Sequence, residues 1–324
     1  MSHAVLLRQP GPPENFSWED VAVPLPGPGE AQLQQTAAGI NFIDTQFRSG
    51  LYKVGDLPAI LGREGAGTVV AVGDGVAEVK VGERAAYASQ MGAYTEVRNV
   101  RADRLVVLPD SIADETAAAM MLKGLTAQYL VRQVRAPVAG DVVLVHAAAG
   151  GVGLIACQWA TEVGATMIGT VGTDAKARLA KRYGCKHMIV TSRQDIAEQV
   201  MRITKGEGVD VVYDSIGKDC WEETLQSVKR LGLVVSFGSA SGTPPPLDLA
   251  RQGIEKSAFF TRATTANYMT SDAIRLASAR ALFRMIKKGA VKARIGQTYA
   301  LKHAAKAHRD AEARRTTGST LLIP

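Results

Sequence analysis

Residues 141–160, DVVLVHAAAGGVGLIACQWA, limit what this chain can fold into more than any other stretch. A valine-rich apolar run passes through a turn of Ala and Gly into an uncharged segment of helix-forming residues. Set against the dinucleotide-binding fingerprint, Ala148, Gly150 and Gly153 fill the three small positions, with Ala in the first. The reason is steric and electrostatic. A pyrophosphate approaches a backbone closely only where no Cβ stands in the way, and the following helix offers unpaired N–H groups and the positive end of its dipole. The other reading of the same residues is a turn that packs a helix tightly on a strand.

The context supports nucleotide binding. After Gly140 the chain alternates apolar runs with helix-like segments: DVVLVHA, VGLIACQWATEV, ATMIGTV, DAKARLAKRYG, HMIV, DIAEQVMRIT, VDVVYDSIG, WEETLQSVKRLG and LVVSFG. Such alternation predicts a parallel sheet flanked by helices, because each crossover must return the chain to the same end of the sheet. Between Ala31 and Arg104 the pattern differs, with short β-like runs broken by glycine. LPDSIADETAAAMMLKGLTAQYLV then brings helical spacing, with Ser111 or Asp114 as caps. The expected class is α/β: a doubly wound parallel sheet domain plus a β-rich domain. With 324 residues, 46% of them hydrophobic, about two domains are expected.

Val142 to Thr161 contains no charged residue and has the length of a membrane span, but AAAGGVG at its middle argues against one. Met1 to Pro10 lacks a basic segment followed by a long apolar stretch, so a cytoplasmic chain is expected. A net charge of +7 permits nucleic-acid contact, yet Lys and Arg are dispersed, which argues against a dedicated nucleic-acid surface. Cys157, Cys185 and Cys220 lie 28 and 35 residues apart, matching neither a zinc knuckle nor an even disulfide framework.

Cofactor choice is read after the second strand of the unit, in ATMIGTVGTDAKAR. An NAD-type site places an acidic residue there to hold the ribose hydroxyls. Val171 and Gly172 stand in that place; Asp174 comes later, on the approach to the helix, and Lys176 and Arg178 follow within reach of a 2′-phosphate, so the expected cofactor is NADPH.

GINFIDTQFRSGLY, HAAAGGVGLIACQWA, LKGLTAQYL, VVYDSIG, VVSFG and GSTLLIP together resemble the zinc-independent quinone oxidoreductases of the medium-chain dehydrogenase/reductase superfamily, the group that includes zeta-crystallin. The resemblance runs over nearly the whole chain. It implies a GroES-like catalytic domain from residues 1–125 and 261–324, a Rossmann NADP-binding domain over 126–260, an active site in the cleft, and a homodimer formed through the Rossmann domains. Carried over by position, Asn41 and Tyr52 flank the nicotinamide, with Thr126 nearby. Gly150, Gly151, Val152 and Gly153 take the pyrophosphate, and Gly172, Thr173 and Lys176 hold the adenosine ribose phosphate. Ser215, Phe237 and Gly238 line the cofactor trough, which Arg262 and Arg314 reach from the tail side. Two positions depart from the family: Gln46 replaces an expected Tyr, and Thr191 an expected aromatic, for which Ser192 and Arg193 are the candidate substitutes.

No metal is expected. There is no cysteine before Cys157, His3 is the only histidine before His146, and Arg63 in LGREGAG takes the place of the metal-binding His of metal-dependent relatives. Without a Lewis acid a simple aldehyde is a poor hydride acceptor, whereas a quinone or activated enone spreads the developing charge by conjugation. The leading expectation is NADPH:quinone oxidoreductase activity, with Tyr52 orienting the acceptor and Asn41 fixing the carboxamide. An alkenal or enone double-bond reductase is the nearest alternative, and single-stranded nucleic-acid binding is the alternative from another class.

Overall fold

The computed structural model describes residues 2–250 and 255–324. The chain divides into two compact units, one comprising Met1–Leu125, Ser271–Lys287 and Ala293–Pro324, the other Thr126–Thr270 and Lys288–Lys292.

The N-terminal part supplies β1 (Ser2–Leu7), β2 (Phe16–Val21), β3 (Glu30–Ile40), α1 (Phe42–Ser49), β4 (Ala59–Ile60) and β5 (Glu64–Val72). It continues with β6 (Arg84–Ala88), β7 (Val97–Arg101), β8 (Val106–Val107) and α2 (Asp114–Tyr129). The alternating part contains β9 (Val142–Val145), α3 (Gly151–Glu162), β10 (Thr166–Val171), α4 (Asp174–Arg182), β11 (His187–Val190) and α5 (Ile196–Ile203). Then come β12 (Val209–Asp214), α6 (Trp221–Ser227), β13 (Val228–Ser236) and β14 (Phe259–Arg262). The remainder is α7 (Thr265–Tyr268), α8 (Asp272–Lys287), β15 (Ile295–Ala300), α9 (Ala304–Glu312) and β16 (Ser319–Ile323).

In the first unit β1 lies between β2 and β4, and a larger sheet runs β15-β16-β3-β5-β6-β8, with β7 also pairing β3. Strand β16 is antiparallel to β3 and parallel to β15, so residues 319–323 sit inside the sheet. Leu7, Leu33, Leu61, Val69, Tyr87 and Tyr94 are fully buried in this unit's core. Along β2 exposure alternates from Ser17 to Val21, as in a strand with one wet face.

The second unit holds a six-stranded sheet in the order β11-β10-β9-β12-β13-β14, every pair parallel. This is the doubly wound Rossmann order, in which the direction of winding reverses between the first and fourth strands, here β9 and β12. Both are buried on two faces, which explains their continuous apolar runs. Leu144, Ile168, Ile189 and Val212 form the centre of this core.

Two details differ from the sequence reading. The helix expected over WEETLQSVKRLG ends at Ser227, and Val228 onward is strand, because Val228 pairs with Val209 and Leu231 turns in the left-handed region (φ 58°). Residues 261–270, expected to return to the first domain, cluster with the second unit, since Thr261 and Arg262 pair with β13. Among the described residues no helix is long and apolar enough to cross a membrane, and the uncharged stretch from Val142 is divided between β9 and α3.

Candidate active site

In the second unit the candidate cofactor residues follow the carboxyl ends of successive strands. Gly150 to Gly153 come after β9, Gly172 and Thr173 after β10, Ser192 after β11, Ser215 after β12, and Phe237 and Gly238 after β13, while Arg262 ends β14. This edge, at the point where the strand order reverses, is where open α/β sheets bind ligands.

The turn after β9 begins at His146, which is buried with its ring nitrogens bonded to the hydroxyls of Thr170 (3.0 Å) and Thr224 (2.8 Å). Burial lowers its pKa, so it serves as a neutral packing residue. Ala147 adopts a left-handed conformation (φ 52°) and turns the chain, and Gly150 caps α3 with no side-chain partner for the first turn of the helix. A Cβ at Gly153 would lie 2.5 Å from the Ala147 carbonyl oxygen and 2.8 Å from the Ala148 Cα. That glycine is required for helix-on-strand contact. Gly150 is different, because its Cβ would meet only one atom, at 3.2 Å. Gly172 would meet nothing within 4 Å, and its φ is an ordinary one. At Gly172, then, the protein itself gives no steric reason for glycine. The open positions at 150 and 172 fit a phosphate-bearing ligand lying against bare backbone, and to that extent the residues suit a dinucleotide.

At the adenosine end, Thr173 caps α4 and accepts a hydrogen bond from the Lys176 N–H (3.3 Å). Arg193 donates through both terminal nitrogens to the Asp174 carboxylate (2.8 and 2.6 Å), a surface pair that holds the Asp174 carboxyl below its usual range. Arg193, considered as a substitute for the missing aromatic at 191, is therefore engaged with Asp174; Ser192 beside it is exposed. Past β12 and β13, the Asp214 carbonyl accepts from Phe237 N–H and Gly238 N–H (2.8 and 3.3 Å), placing both beside Ser215. Arg262 donates to Ser236 Oγ and the Gly238 carbonyl (both 2.7 Å) and braces the same loop. Thr126 is buried in α2, where it hydrogen-bonds Tyr129, whose ring stacks on Tyr268 at 4.9 Å.

Asn41, Tyr52 and Arg314 belong to the first unit. Asn41 caps α1 and is 9% exposed; its N–H donates to Asp44 Oδ2 (2.8 Å), and its side-chain Nδ2 donates to Glu64 Oε1 (2.9 Å). Glu64 is fully buried, with Oε2 accepting from the Leu122 N–H (2.6 Å) and Oε1 paired with the Lys123 ammonium. Tyr52 follows the other end of α1, where its ring packs against Phe47 (5.6 Å between centroids). The guanidinium of Arg63 lies over the same Phe47 ring at 5.5 Å. The Tyr52 N–H donates to the Gln46 carbonyl oxygen (3.2 Å), so the chain past α1 doubles back alongside the helix. Arg314 is exposed, in a left-handed turn (φ 56°) just past α9.

Around LGREGAG the glycines are packing glycines. A Cβ at Gly62 would strike the Tyr94 ring at 2.4 Å, and one at Gly67 the Gln34 carbonyl oxygen at 2.1 Å. Arg63 and Glu64, adjacent in sequence, take different partners. Among the described residues one group, His146, Asp214 and Cys220, brings metal-ligand atom types within 4.8 Å of one another. Threonine hydroxyls already occupy both His146 nitrogens, and burial holds the Cys220 thiol above its usual range.

Sequence reading missed the Glu64–Lys123 pair and a second group of buried polar residues, Asp44, Tyr94, His308 and Arg48, the last of which pairs with the exposed Glu312. Tyr94 Oη bonds both Asp44 Oδ2 (3.2 Å) and His308 Nε2 (2.9 Å), and Arg48, 2% exposed, pairs with Glu312. Burial pushes the Asp44 carboxyl up to about 6 and the His308 imidazolium down to about 3. The available signal for the first pair was a lone lysine in AAAMMLKGL, which is an uncomfortable place for a charge without a partner.

Residues 27–135 match the family described as "Alcohol dehydrogenase GroES-like domain", and residues 151–279 that described as "Zinc-binding dehydrogenase". The chain is 47% identical to a quinone oxidoreductase of Pseudomonas aeruginosa, with all of both chains covered. It is 42% identical to a 2-haloacrylate reductase of a Burkholderia species, covering all of this chain and 99% of the relative. Among solved structures, that of Escherichia coli quinone oxidoreductase complexed with NADPH superimposes with a TM-score of 0.97 at 43% identity, covering 99% of this chain and 100% of that one. On the strength of full-length relatives, both domain matches and the strand order, the chain belongs to the quinone oxidoreductases of the medium-chain dehydrogenase/reductase superfamily.

Proposed function

We propose that this chain is an NADPH-dependent quinone oxidoreductase that reduces a conjugated acceptor. The observation that carries the reading is the open backbone at Gly150 and Gly172 on the carboxyl edge of the parallel sheet, with no acidic side chain at the ribose position. When bound, NADPH supplies the hydride; the protein contributes position and hydrogen bonds.

The N–H groups of Gly151, Val152 and Gly153 open α3 and receive the pyrophosphate, which Gly150 admits by lacking a Cβ. Gly172, Thr173, Lys176 and Ser192 border the ribose phosphate. Ser215, Phe237 and Gly238 line the path of the dinucleotide in the second unit, held in shape by Arg262. In the second unit Thr126 is the candidate for the nicotinamide; in the first, Asn41 is its candidate through the side-chain amide, and Tyr52 the candidate for orienting the acceptor. A quinone suits such a site because its conjugation carries the charge that a metal or strong acid would otherwise have to stabilise. Initial rates of NADPH oxidation with 1,4-benzoquinone and 9,10-phenanthrenequinone test the assignment, and inactivity with both refutes it. Lys176→Glu is expected to raise the KM for NADPH while leaving that for NADH near its starting value.

Reduction of an activated carbon–carbon double bond is the second reading. It is favoured by the similarity to a 2-haloacrylate reductase and by Gln46 in place of an expected aromatic. An alkenal and a haloacrylate in the same rate panel separate the two. A homodimer formed through the second unit is supported by β14, the outermost strand of the parallel sheet, whose Phe259 is 62% exposed. Sedimentation equilibrium of the parent and of Phe259→Asp tests it, with a shift toward monomer expected for the variant.

A further inference from the structure

We infer that the buried Glu64–Lys123 pair is the positioning element that fixes the orientation of the Asn41 amide. The inference rests on the reading of Asn41 as the residue that meets the nicotinamide. Three donors converge on one carboxylate: Asn41 Nδ2 and the Lys123 ammonium on Oε1, and the Leu122 N–H on Oε2 at 2.6 Å. Glu64 is fully buried and Lys123 only 7% exposed at its side chain, so both lie away from bulk water.

A carboxylate can only accept hydrogen bonds, so the side of the Asn41 amide turned toward Glu64 must be its NH2 group. The amide oxygen is thereby directed away from Glu64. An acceptor oxygen is what the NH2 of a nicotinamide carboxamide requires. With a neutral partner at position 64 the amide could flip, exchanging an acceptor for a donor at the ligand. The Lys123 ammonium supplies the counter-charge that a buried carboxylate needs. The chain also fixes the backbone of Asn41 separately, through the Asp44 carboxylate. Asn41 is therefore held at its backbone by α1 and at its side chain by a carboxylate from β5, itself tied to α2. A pair whose only duty was to fill space could be replaced by apolar side chains of similar volume with little effect.

The test uses the full chain with NADPH and a quinone. The double variant Glu64→Leu/Lys123→Met removes both charges together and so avoids stranding either; Glu64→Gln keeps the shape with a neutral acceptor; Lys123→Arg keeps the counter-charge; Asn41→Ala removes the positioned group. KM for NADPH and kcat are measured with each, thermal melting reports folding, and NADPH deuterated at one or the other C4 position reports which hydrogen is transferred. Expected for the double variant and Asn41→Ala are a rise in KM for NADPH of about two- to tenfold, the scale of losing one hydrogen bond between neutral groups, and transfer of the wrong C4 hydrogen. Glu64→Gln falls between these and the parent, and Lys123→Arg restores parental fidelity. If Asn41→Ala shifts both quantities while a folded double variant keeps parental KM and fidelity, the positioning inference is overturned and the reading of Asn41 survives. If Asn41→Ala changes neither, the reading of Asn41 fails and the inference falls with it. Should the double variant not fold, Glu64→Gln decides: parental fidelity overturns the inference and loss of fidelity sustains it.

Discussion

Gly172→Ala separates cofactor contact from packing. The added Cβ finds no atom within 4 Å, and the residue does not occupy the left-handed region, so the folded protein accommodates alanine without strain. Replacing glycine at such a position narrows the unfolded ensemble and is expected to stabilise by about 0.4–1 kcal/mol. For a domain of this size that corresponds to a rise of roughly 1–4 °C in melting temperature. Binding moves the other way. If the ribose phosphate lies against bare backbone at 172, the new methyl group intrudes on a close contact, and overpacking of about 1–3 kcal/mol weakens NADPH by roughly 5- to 150-fold. NADPH fluorescence titration gives the dissociation constant and scanning fluorimetry the melting temperature on the same preparation. Gly153→Ala is the contrasting control, because its Cβ lies 2.5 Å from the Ala147 carbonyl oxygen and must lower the melting temperature. A Gly172→Ala protein that binds NADPH as tightly as the parent would refute the placement of the cofactor over this strand end. A large loss of thermal stability would instead show that Gly172 serves packing.

Three further outcomes follow from buried groups. His308, whose pKa burial lowers to about 3, refuses a proton that the unfolded chain accepts below about pH 6.5. Its contribution to stability is thus lost as pH falls, by about 1.4 kcal/mol at pH 5.5 relative to pH 7.5, and urea unfolding of His308→Gln should lack that increment. Asp44 acts oppositely, since its carboxyl, raised to about 6, holds a proton in the folded state that the unfolded chain has released. Stability from this group is present at low pH and lost as pH rises through about 6, so Asp44→Asn should show a steeper loss of stability on acidification than the parent. Cys157, Cys185 and Cys220 are all buried. A thiol reagent should modify none of them within minutes in the native protein and all three in urea, and intact mass after turnover with excess quinone should show no adduct.

The parts of this fold that could be read in advance were those written locally. The valine-rich β9, the small-residue turn and α3 sit next to one another in the chain, and steric rules alone connect their composition to their shape. That Val171 and Gly172, and not an acidic residue, stand at the end of β10 was equally visible. The order of the sheet was not, since nothing in VDVVYD says that it will lie beside VVLV and not beside HMIV. Long-range polar pairs were hidden for the same reason. Glu64 and Lys123 are 59 residues apart, and Tyr94 and His308 are 214 apart, so no periodicity joins them. Adjacency in the chain is no guide to such partners either: Arg63 and Glu64 are neighbours, yet one reaches Phe47 and the other Lys123.

The placement of β16 between β15 and β3 also sets a timetable for synthesis. β3 emerges from the ribosome early and β16 almost 280 residues later, after all of the parallel sheet has been made. The second unit is nearly continuous in sequence and can complete its sheet while the chain is still growing. The first unit cannot, because β7 covers only Glu30–Gln34 of β3, and Ala38–Ile40 lack their partner until Thr320–Leu322 arrive. During that interval β3 has an open flank able to pair with a foreign strand. Slowed translation of the last segment should therefore increase aggregation of the nascent chain, with no change in the stability of the finished protein.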